Sequence, residues 1–360
     1  MNANVDLGPL EAILTDATIT EIMINGYQNI YVERAGNVEK VDASFRDEDH
    51  LMQVVRQIVA KFGQRIHQLD ESTPILDVRL TDGSLMHVVG RGVSVNGTSV
   101  TIRKVHIHPL TADQLIGFGS WTPPMVEFLR TCVRARLNIV IAGGTSSGKT
   151  SVLNIVGGFI PPQDRIITIE EVTSVVLPQP HIVALETRPP NLEGKGEITL
   201  KHLVESALKM RPDHIILSEA RGAEVLTLLQ GMNMGYDGTL INIHATSVRD
   251  VLARLEMMAT EGNPVMPLLA LRHTIASAVH VICYQERLRD GTRRLVKIAE
   301  VLGMHGDNIV TQDIFEFVQS GVEDGKIIGQ FRHTGVIPAF FDRLKVAGIE
   351  RPQDLFAPTA

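Results

Sequence analysis

Aromatic side chains are scarce in this chain, with one Trp, four Tyr and an aromatic share of 4% across 360 residues. Proteins that hold single-stranded nucleic acid stack bases on such rings, so the scarcity disfavours a base-stacking surface. Positive charge is not in excess either. Lys and Arg number 34 against 41 Asp and Glu, and the formal net charge is −7. Bulk electrostatics therefore give no support to direct handling of nucleic acid. Cysteine is limited to Cys132 and Cys283, which are far apart and lack ligand-like spacing. That argues against zinc and against a disulfide framework, and it suits a reducing compartment. Long apolar runs are missing as well. The best candidate, Met266 to Tyr284, contains Arg272, His273 and His280, so no transmembrane helix is predicted. The opening Met1-Asn-Ala-Asn-Val-Asp lacks the basic and apolar regions of a signal peptide. These absences predict a cytoplasmic protein that reaches a membrane only through a partner. No short-period repeat or low-complexity tract stands out.

What is present is ordinary globular composition, 44% hydrophobic and 21% charged, in a chain long enough for two domains. Residues 1–105 read as a small α+β domain. Asp47 opens a helix with Leu51, Val54, Val55, Ile58, Val59 and Phe62 at helical spacing, ended by Gly63. Ile30 to Glu33 reads as a strand turning at Arg34-Ala-Gly36-Asn37. Leu76 to Leu80 and Leu85 to Val89 flank the hairpin signal Asp82-Gly83, and Ser99 to Arg103 forms a further strand. Residues 106–122 carry Pro109, Gly117 and Gly119 and read as an interdomain linker with a short helix inside.

From residue 123 strands alternate with helices. The expected strands are Asn138–Ala142, Arg165–Glu170, His214–Ser218, Thr239–His244 and Val279–Tyr284. Helices are expected at about 123–136, 150–158, 199–210, 222–233 and 247–260. This alternation predicts an α/β domain over 123–300, a parallel sheet with helices on both faces. Asp290-Gly291 predicts a late hairpin between Gln285–Leu288 and Arg293–Ile298. Residues 301–360 read as a peripheral appendage of that domain, without a readable role.

The chemistry concentrates where the first parallel strand ends. Gly143, Gly144, Thr145, Ser146, Ser147, Gly148, Lys149 and Thr150 fit the phosphate-loop pattern Gly-x4-Gly-Lys-Ser/Thr, with Ser151 in the helix that follows. Glycines let the backbone curl so that successive N–H groups point at phosphate oxygens, and the helix N-terminus adds a favourable dipole. Lys149 would reach the β- and γ-phosphates and the Thr150 hydroxyl would bind Mg2+. The pattern predicts binding of a nucleoside triphosphate. His214 to Ser218 is an apolar strand ending in Glu219, a carboxylate expected beside the phosphate-loop strand, where it can hold Mg2+ through water. Arg165 to Ile169 ends in Glu170 and Glu171, which point to opposite faces, so one of them is expected to orient and deprotonate a lytic water. His244 ends another strand and could hydrogen-bond a phosphate oxygen or serve structurally, while Ser247 reads as a helix N-cap.

This set resembles the secretion superfamily of traffic ATPases, which drive type II secretion, type IV secretion and type IV pili. The residues that carry the resemblance are the phosphate loop, Ile169-Glu170-Glu171, Ser218-Glu219-Ala220-Arg221-Gly222 and Gly235 to His244. Within the superfamily, Gln179 to Asn191, with its Leu185-Glu-Thr-Arg-Pro-Pro phrase, and Glu193-Gly-Lys-Gly-Glu197 are similar to the Flp or tight-adherence pilus branch (the CpaF/TadA type). Similarity runs from Thr18-Ile-Thr-Glu-Ile-Met-Ile-Asn-Gly26 to Thr334-Gly335.

The resemblance implies a RecA-like ATPase domain preceded by the smaller domain, assembled as a homo-hexamer with each ATP between the two domains. It implies ATP and Mg2+ as ligands and polytopic inner-membrane pilus platform proteins as partners. Carried over by position, Glu170 matches the catalytic glutamate of the aspartate box, Glu219 the Walker B glutamate and His244 the His box. Arg103, in Val100-Thr-Ile-Arg-Lys104, matches an arginine that the N-terminal domain supplies to the phosphates, with Arg79 and Arg91 as further candidates. The chain departs from the family at Glu171, where Asp is usual, and at Ser174, usually an acid. Ser146 and Ser218 replace common glycines, and Leu85 replaces a frequent arginine. The reading is a motor powering pilus assembly or retraction. The alternatives are a nucleotide-switched structural ring and the motor of a conjugation or type IV secretion channel.

Overall fold

Strand and helix periods are both written into the first unit. In order it runs α1 (Leu10–Thr15), β1 (Ile19–Asn25), β2 (Ile30–Arg34), β3 (Asn37–Lys40), α2 (Glu48–Phe62), β4 (Ile75–Arg79), β5 (Leu85–Val89) and β6 (Ser99–Arg103). The strands pair antiparallel in the order β3-β2-β1-β6-β5-β4. Alternate residues such as Ile22, Ile24, Val32, Val78, Met86, Val88, Val100 and Ile102 are buried with Leu51, Val54, Val55 and Ile58 of α2, as periods of two and 3.6 require. Asp47 Oδ1 accepts the His50 N–H at 2.8 Å and so caps α2.

The computed structural model describes residues 7–34, 37–62, 74–80, 82–104, 110–191, 194–341 and 344, divided between the units Met1–His108 and Pro109–Ala360. The expected turn glycine Gly36, the helix terminator Gly63, Pro109 of the expected linker, Glu193 of the pilus-like phrase and residues 345–360 lie outside the described residues.

The second unit begins with α3 (Ala112–Gly117) and α4 (Pro123–Arg134), then β7 (Ile139–Gly143), α5 (Lys149–Gly157), β8 (Ile166–Glu170) and β9 (Ile182–Glu186). It continues through α6 (Leu200–Ala207), β10 (His214–Ala220), α7 (Glu224–Asn233), β11 (Leu240–His244), α8 (Val248–Gly262) and α9 (Leu268–Ala278). β12 (Val281–Arg287), β13 (Arg293–His305), β14 (Asn308–Glu323) and β15 (Lys326–His333) complete it. The nine strands form one sheet in the order β15-β14-β13-β12-β7-β11-β10-β8-β9. Both faces are covered. Val140 and Ala142 of β7 pack with residues of α6 to α9, while Ile139 and Ile141 pack with α4 and α5. Two-sided burial is the reason the central strands are continuous apolar runs.

Three features differ from the sequence expectation. The sheet is mixed: β9, β8, β10, β11, β7 and β12 run parallel, and β13 to β15 add antiparallel strands. Residues beyond 300 continue this same sheet through β13, β14 and β15. The C-terminal segment also enters the core, where Phe340, Phe341 and Leu344 are buried. The buried Glu300 carboxylate fixes that segment by accepting the Ala339 and Phe340 N–H groups at 3.0 and 3.1 Å. Lastly, β10 is not the neighbour of β7, because β11 lies between them.

Candidate active site

The loop from Gly143 to Lys149 joins β7 to α5. Gly143 has no room for a side chain, since a Cβ there would overlap the Gln285 carbonyl and the Ser147 hydroxyl. Gly148 sits at φ +91° and caps α5, a conformation open to glycine at little cost. Ser146 also adopts a left-handed conformation, φ +58°, which costs a residue with a Cβ on the order of 1 kcal/mol. Inside the loop one acceptor serves three donors. The Gly144 carbonyl accepts Lys149 Nζ at 2.9 Å, Ser147 Oγ at 2.9 Å and the Ser147 N–H at 3.4 Å. These are donors of the kind that phosphate oxygens take. Burial lowers the Lys149 pKa, and the negative charge of Glu219 opposes that shift. Gly144, Gly148 and Ser151 are half-buried, and Thr145, Ser146 and Thr150 are exposed.

The acidic residues lie at successive strand ends with different surroundings. Glu170 closes β8 and is fully buried. Its Oε2 accepts the Ser174 N–H at 2.5 Å, the Ser174 hydroxyl at 3.1 Å and the Val175 N–H at 3.0 Å. Its Oε1 has no hydrogen-bond partner. Burial raises its pKa, and the donors of Ser174 and Val175 and the Thr168 hydroxyl only partly offset that. Glu171 turns the other way and meets Arg221 Nη1 at 2.7 Å. Glu219, near the end of β10, receives Arg221 Nη2 at 2.9 Å. One guanidinium thus bridges both strand ends, and the Glu224 carboxylate fixes the turn by accepting the Arg221 and Gly222 N–H groups. His244 ends β11 in register with Gly143 and is half-buried, so it is the residue on the strand next to the phosphate loop. Ser247 accepts the Asp250 N–H at 3.0 Å, as an N-cap does.

In the first unit, Arg103 on β6 pairs across the sheet with Glu21 and with Leu85, which in turn pairs with Arg79. Two of the three arginine candidates therefore share one row of side chains. Arg103 Nε lies 3.2 Å from Glu21 Oε1, and its side chain is 72% exposed. Arg91 lies off this row and is exposed.

A family model described as type II/IV secretion system protein matches residues 3–325. The chain belongs to that family.

Among its relatives is a Mycobacterium tuberculosis protein named, provisionally, for conjugal transfer, 32% identical over 81% of this chain and 83% of its own length. The conjugal transfer protein TrbB of Rhizobium radiobacter is 28% identical over 83% and 88%. The type IV secretion system protein VirB11 of Bartonella quintana is 28% identical over 71% and 81%. Among solved structures, the Legionella pneumophila ATPase DotB has a TM-score of 0.56 at 15% identity, covering 81% of this chain and 78% of that one. The pilus retraction motor PilT with bound ADP has a TM-score of 0.53 at 16% identity, covering 85% and 82%. These structures share the mixed α/β, RecA-like architecture. With its family and its phosphate loop, the chain is an ATPase.

Sequence reasoning gave no role to two residues of this secretion ATPase. Arg221 was visible two positions after Glu219, and only the fold shows that it also reaches Glu171. Arg293, whose Nε donates to the Ser146 carbonyl at 2.9 Å, carries no sequence signal. No helix among the described residues is long and apolar enough to cross a membrane.

Proposed function

We propose that the chain works as a homo-hexameric Mg-ATP-hydrolysing motor that moves polytopic platform proteins at the inner membrane from the cytoplasmic side. The observation that carries this is the phosphate loop itself, where Lys149 Nζ and the Ser147 donors converge on the Gly144 carbonyl. The donor set suits a triphosphate, and the Thr150 hydroxyl with the Glu219 carboxylate (through water) suits Mg2+. When bound, the ion would neutralise negative charge on the phosphates. The protein's own residues divide the remaining work. Lys149 holds the β- and γ-phosphates, and the loop N–H groups orient them. Glu170 Oε1, which has no other partner, accepts the proton of the attacking water, and its raised pKa favours that role. His244 hydrogen-bonds a γ-phosphate oxygen, and Arg103 supplies a guanidinium to the phosphates.

The Leu185-Glu-Thr-Arg-Pro-Pro phrase supports an Flp or tight-adherence pilus as the machine served. The conjugal-transfer and type IV secretion names of the relatives support a secretion channel as the second reading. Steady-state ATP hydrolysis measured beside solution mass, with and without nucleotide, tests the motor. A monomer that never hydrolyses ATP would overturn it. Tight ATP binding with negligible turnover would favour a nucleotide-switched ring. Co-purification with pilus platform proteins or with secretion-channel components separates the two machines.

A further inference from the structure

Arg293 opens β13 opposite Arg287 of β12. Its Nε donates to the Ser146 carbonyl at 2.9 Å, and its Cδ would stand 3.3 Å from a Cβ added to Gly148. The arginine stem therefore lies along the outer wall of the phosphate loop, close to Gly148. A trans peptide points its carbonyl and its N–H in opposite directions. Holding the Ser146 carbonyl outward turns the Ser147 N–H inward, where it meets the Gly144 carbonyl at 3.4 Å. Inward N–H groups are what a phosphate cradle needs. Ser146 has reason to require the hold, because its left-handed backbone is one that a residue with a Cβ readily leaves. Arg293 is itself braced. Its carbonyl accepts the Ser120 hydroxyl, and the Leu295 N–H donates to the Ser120 carbonyl at 3.1 Å. Asp290, in the preceding turn, accepts the Thr292 N–H and hydroxyl and the Ile327 N–H of β15.

We propose that Arg293 is a positioning residue for nucleotide binding, which fixes the Ser146–Ser147 peptide so that the loop is set for phosphate before ATP arrives. The proposal rests on the ATP-binding reading above.

The test uses the full chain, with ATP and ADP affinities from calorimetric titration, turnover kinetics and thermal midpoints with and without ADP. Arg293→Met keeps the stem and removes the donor. It should weaken ATP and ADP alike by about tenfold, the worth of one charge-assisted hydrogen bond. KM should rise with the affinity loss while kcat stays within about twofold, because the held peptide serves ground and transition states equally. The midpoint without nucleotide should match the wild type, and the upward shift given by ADP should shrink. Arg293→Lys should not rescue, since a methylene replaces Nε. Arg332→Ala, an exposed arginine on β15 paired with Glu316, should bind normally. Wild-type affinity in Arg293→Met, while Lys149→Ala loses ATP, would overturn the proposal and leave the ATP reading intact. So would full rescue by Lys, or a loss confined to ATP, which would indicate contact with the γ-phosphate. A wild-type chain that binds neither nucleotide would overturn both.

Discussion

Glu170→Gln separates chemistry from stability because of how this carboxylate is held. The Ser174 and Val175 donors all enter Oε2, and Oε1 has no partner. A glutamine carbonyl can take the first place and its NH2 group the second, so the substitution preserves the geometry. Loss of a general base costs about 100- to 10,000-fold in rate, or roughly 3–5 kcal/mol of barrier. Stability should move the other way. Converting charge-assisted bonds to neutral ones loses about 1 kcal/mol each, while the effective penalty for an ion in the interior is several kcal/mol. Burial outweighs the bonds in this site, as the raised pKa shows, so the variant should gain on the order of 1 kcal/mol at neutral pH. For a unit of this size that is a rise of about 2–4 °C in melting midpoint. The pH dependence has a definite sign. The folded protein binds the Glu170 proton more tightly than the unfolded chain. Wild-type stability therefore falls as pH rises from the ordinary glutamate range through the raised folded value, then stays level. The gap between variant and wild type should be widest near neutrality and close below the ordinary range. Turnover at saturating ATP together with melts across that range provides the assay. Turnover within about tenfold of wild type would place the base elsewhere, and a lowered neutral-pH midpoint would refute the account of the buried charge.

Lys149→Ala should abolish hydrolysis and weaken ATP binding, since it removes the charge proposed to face the β- and γ-phosphates; near-normal turnover would sink the nucleotide-motor reading. Glu219→Gln should cut turnover by at least about 100-fold, with ATP binding retained and Mg2+ dependence shifted to higher concentration. Arg103→Ala should reduce hydrolysis much more than affinity while leaving solution mass unchanged, and stability should change by no more than about 1 kcal/mol because the Arg103 side of its pair with Glu21 is exposed. A hexamer with unimpaired turnover would move the arginine role to Arg79 or Arg91.

Elements that bury two faces or sit beside a strong turn signal were legible in the sequence. β7 and β8 are apolar at every position but the functional end and Thr168, and the Asp290-Gly291 turn stands between β12 and β13. β9 was missed because it is an edge strand with no fully buried residue. α9 was missed because its apolar run passes into β12 with only Val279 and His280 between them, so helix and strand periods blur. β14 and β15 escaped because one face is largely open, which leaves weak alternation in Lys326-Ile-Ile-Gly-Gln-Phe-Arg-His333. Of the site, the loop and the acidic strand ends could be read from local pattern. Strand order could not, and hence neither could the insertion of β11 and His244 between the loop and Glu219. Arg293 reaches residue 146 only through tertiary structure.

The two glutamates show why residue type alone does not assign a role. Glu170 is enclosed, and its Oε2 accepts from two backbone N–H groups and a hydroxyl. Glu219 keeps a side-chain exposure of 36%, shares the Arg221 guanidinium with Glu171, and acts on Lys149. A carboxylate poised to take a proton gains from a dry setting that raises its proton affinity, and one that holds a hydrated cation must stay charged and wet. Ser174 fits this division. An acid at that position would set a second negative charge against a buried carboxylate, whereas its N–H and hydroxyl donate to Oε2 and leave Oε1 as the oxygen proposed to meet the water. The paired glutamine variants should therefore share a loss of turnover and differ in stability. Removing the buried charge of Glu170 relieves desolvation. Removing Glu219 frees a solvated Arg221 that still has Glu171, a change of no more than about 1 kcal/mol for an exposed pair.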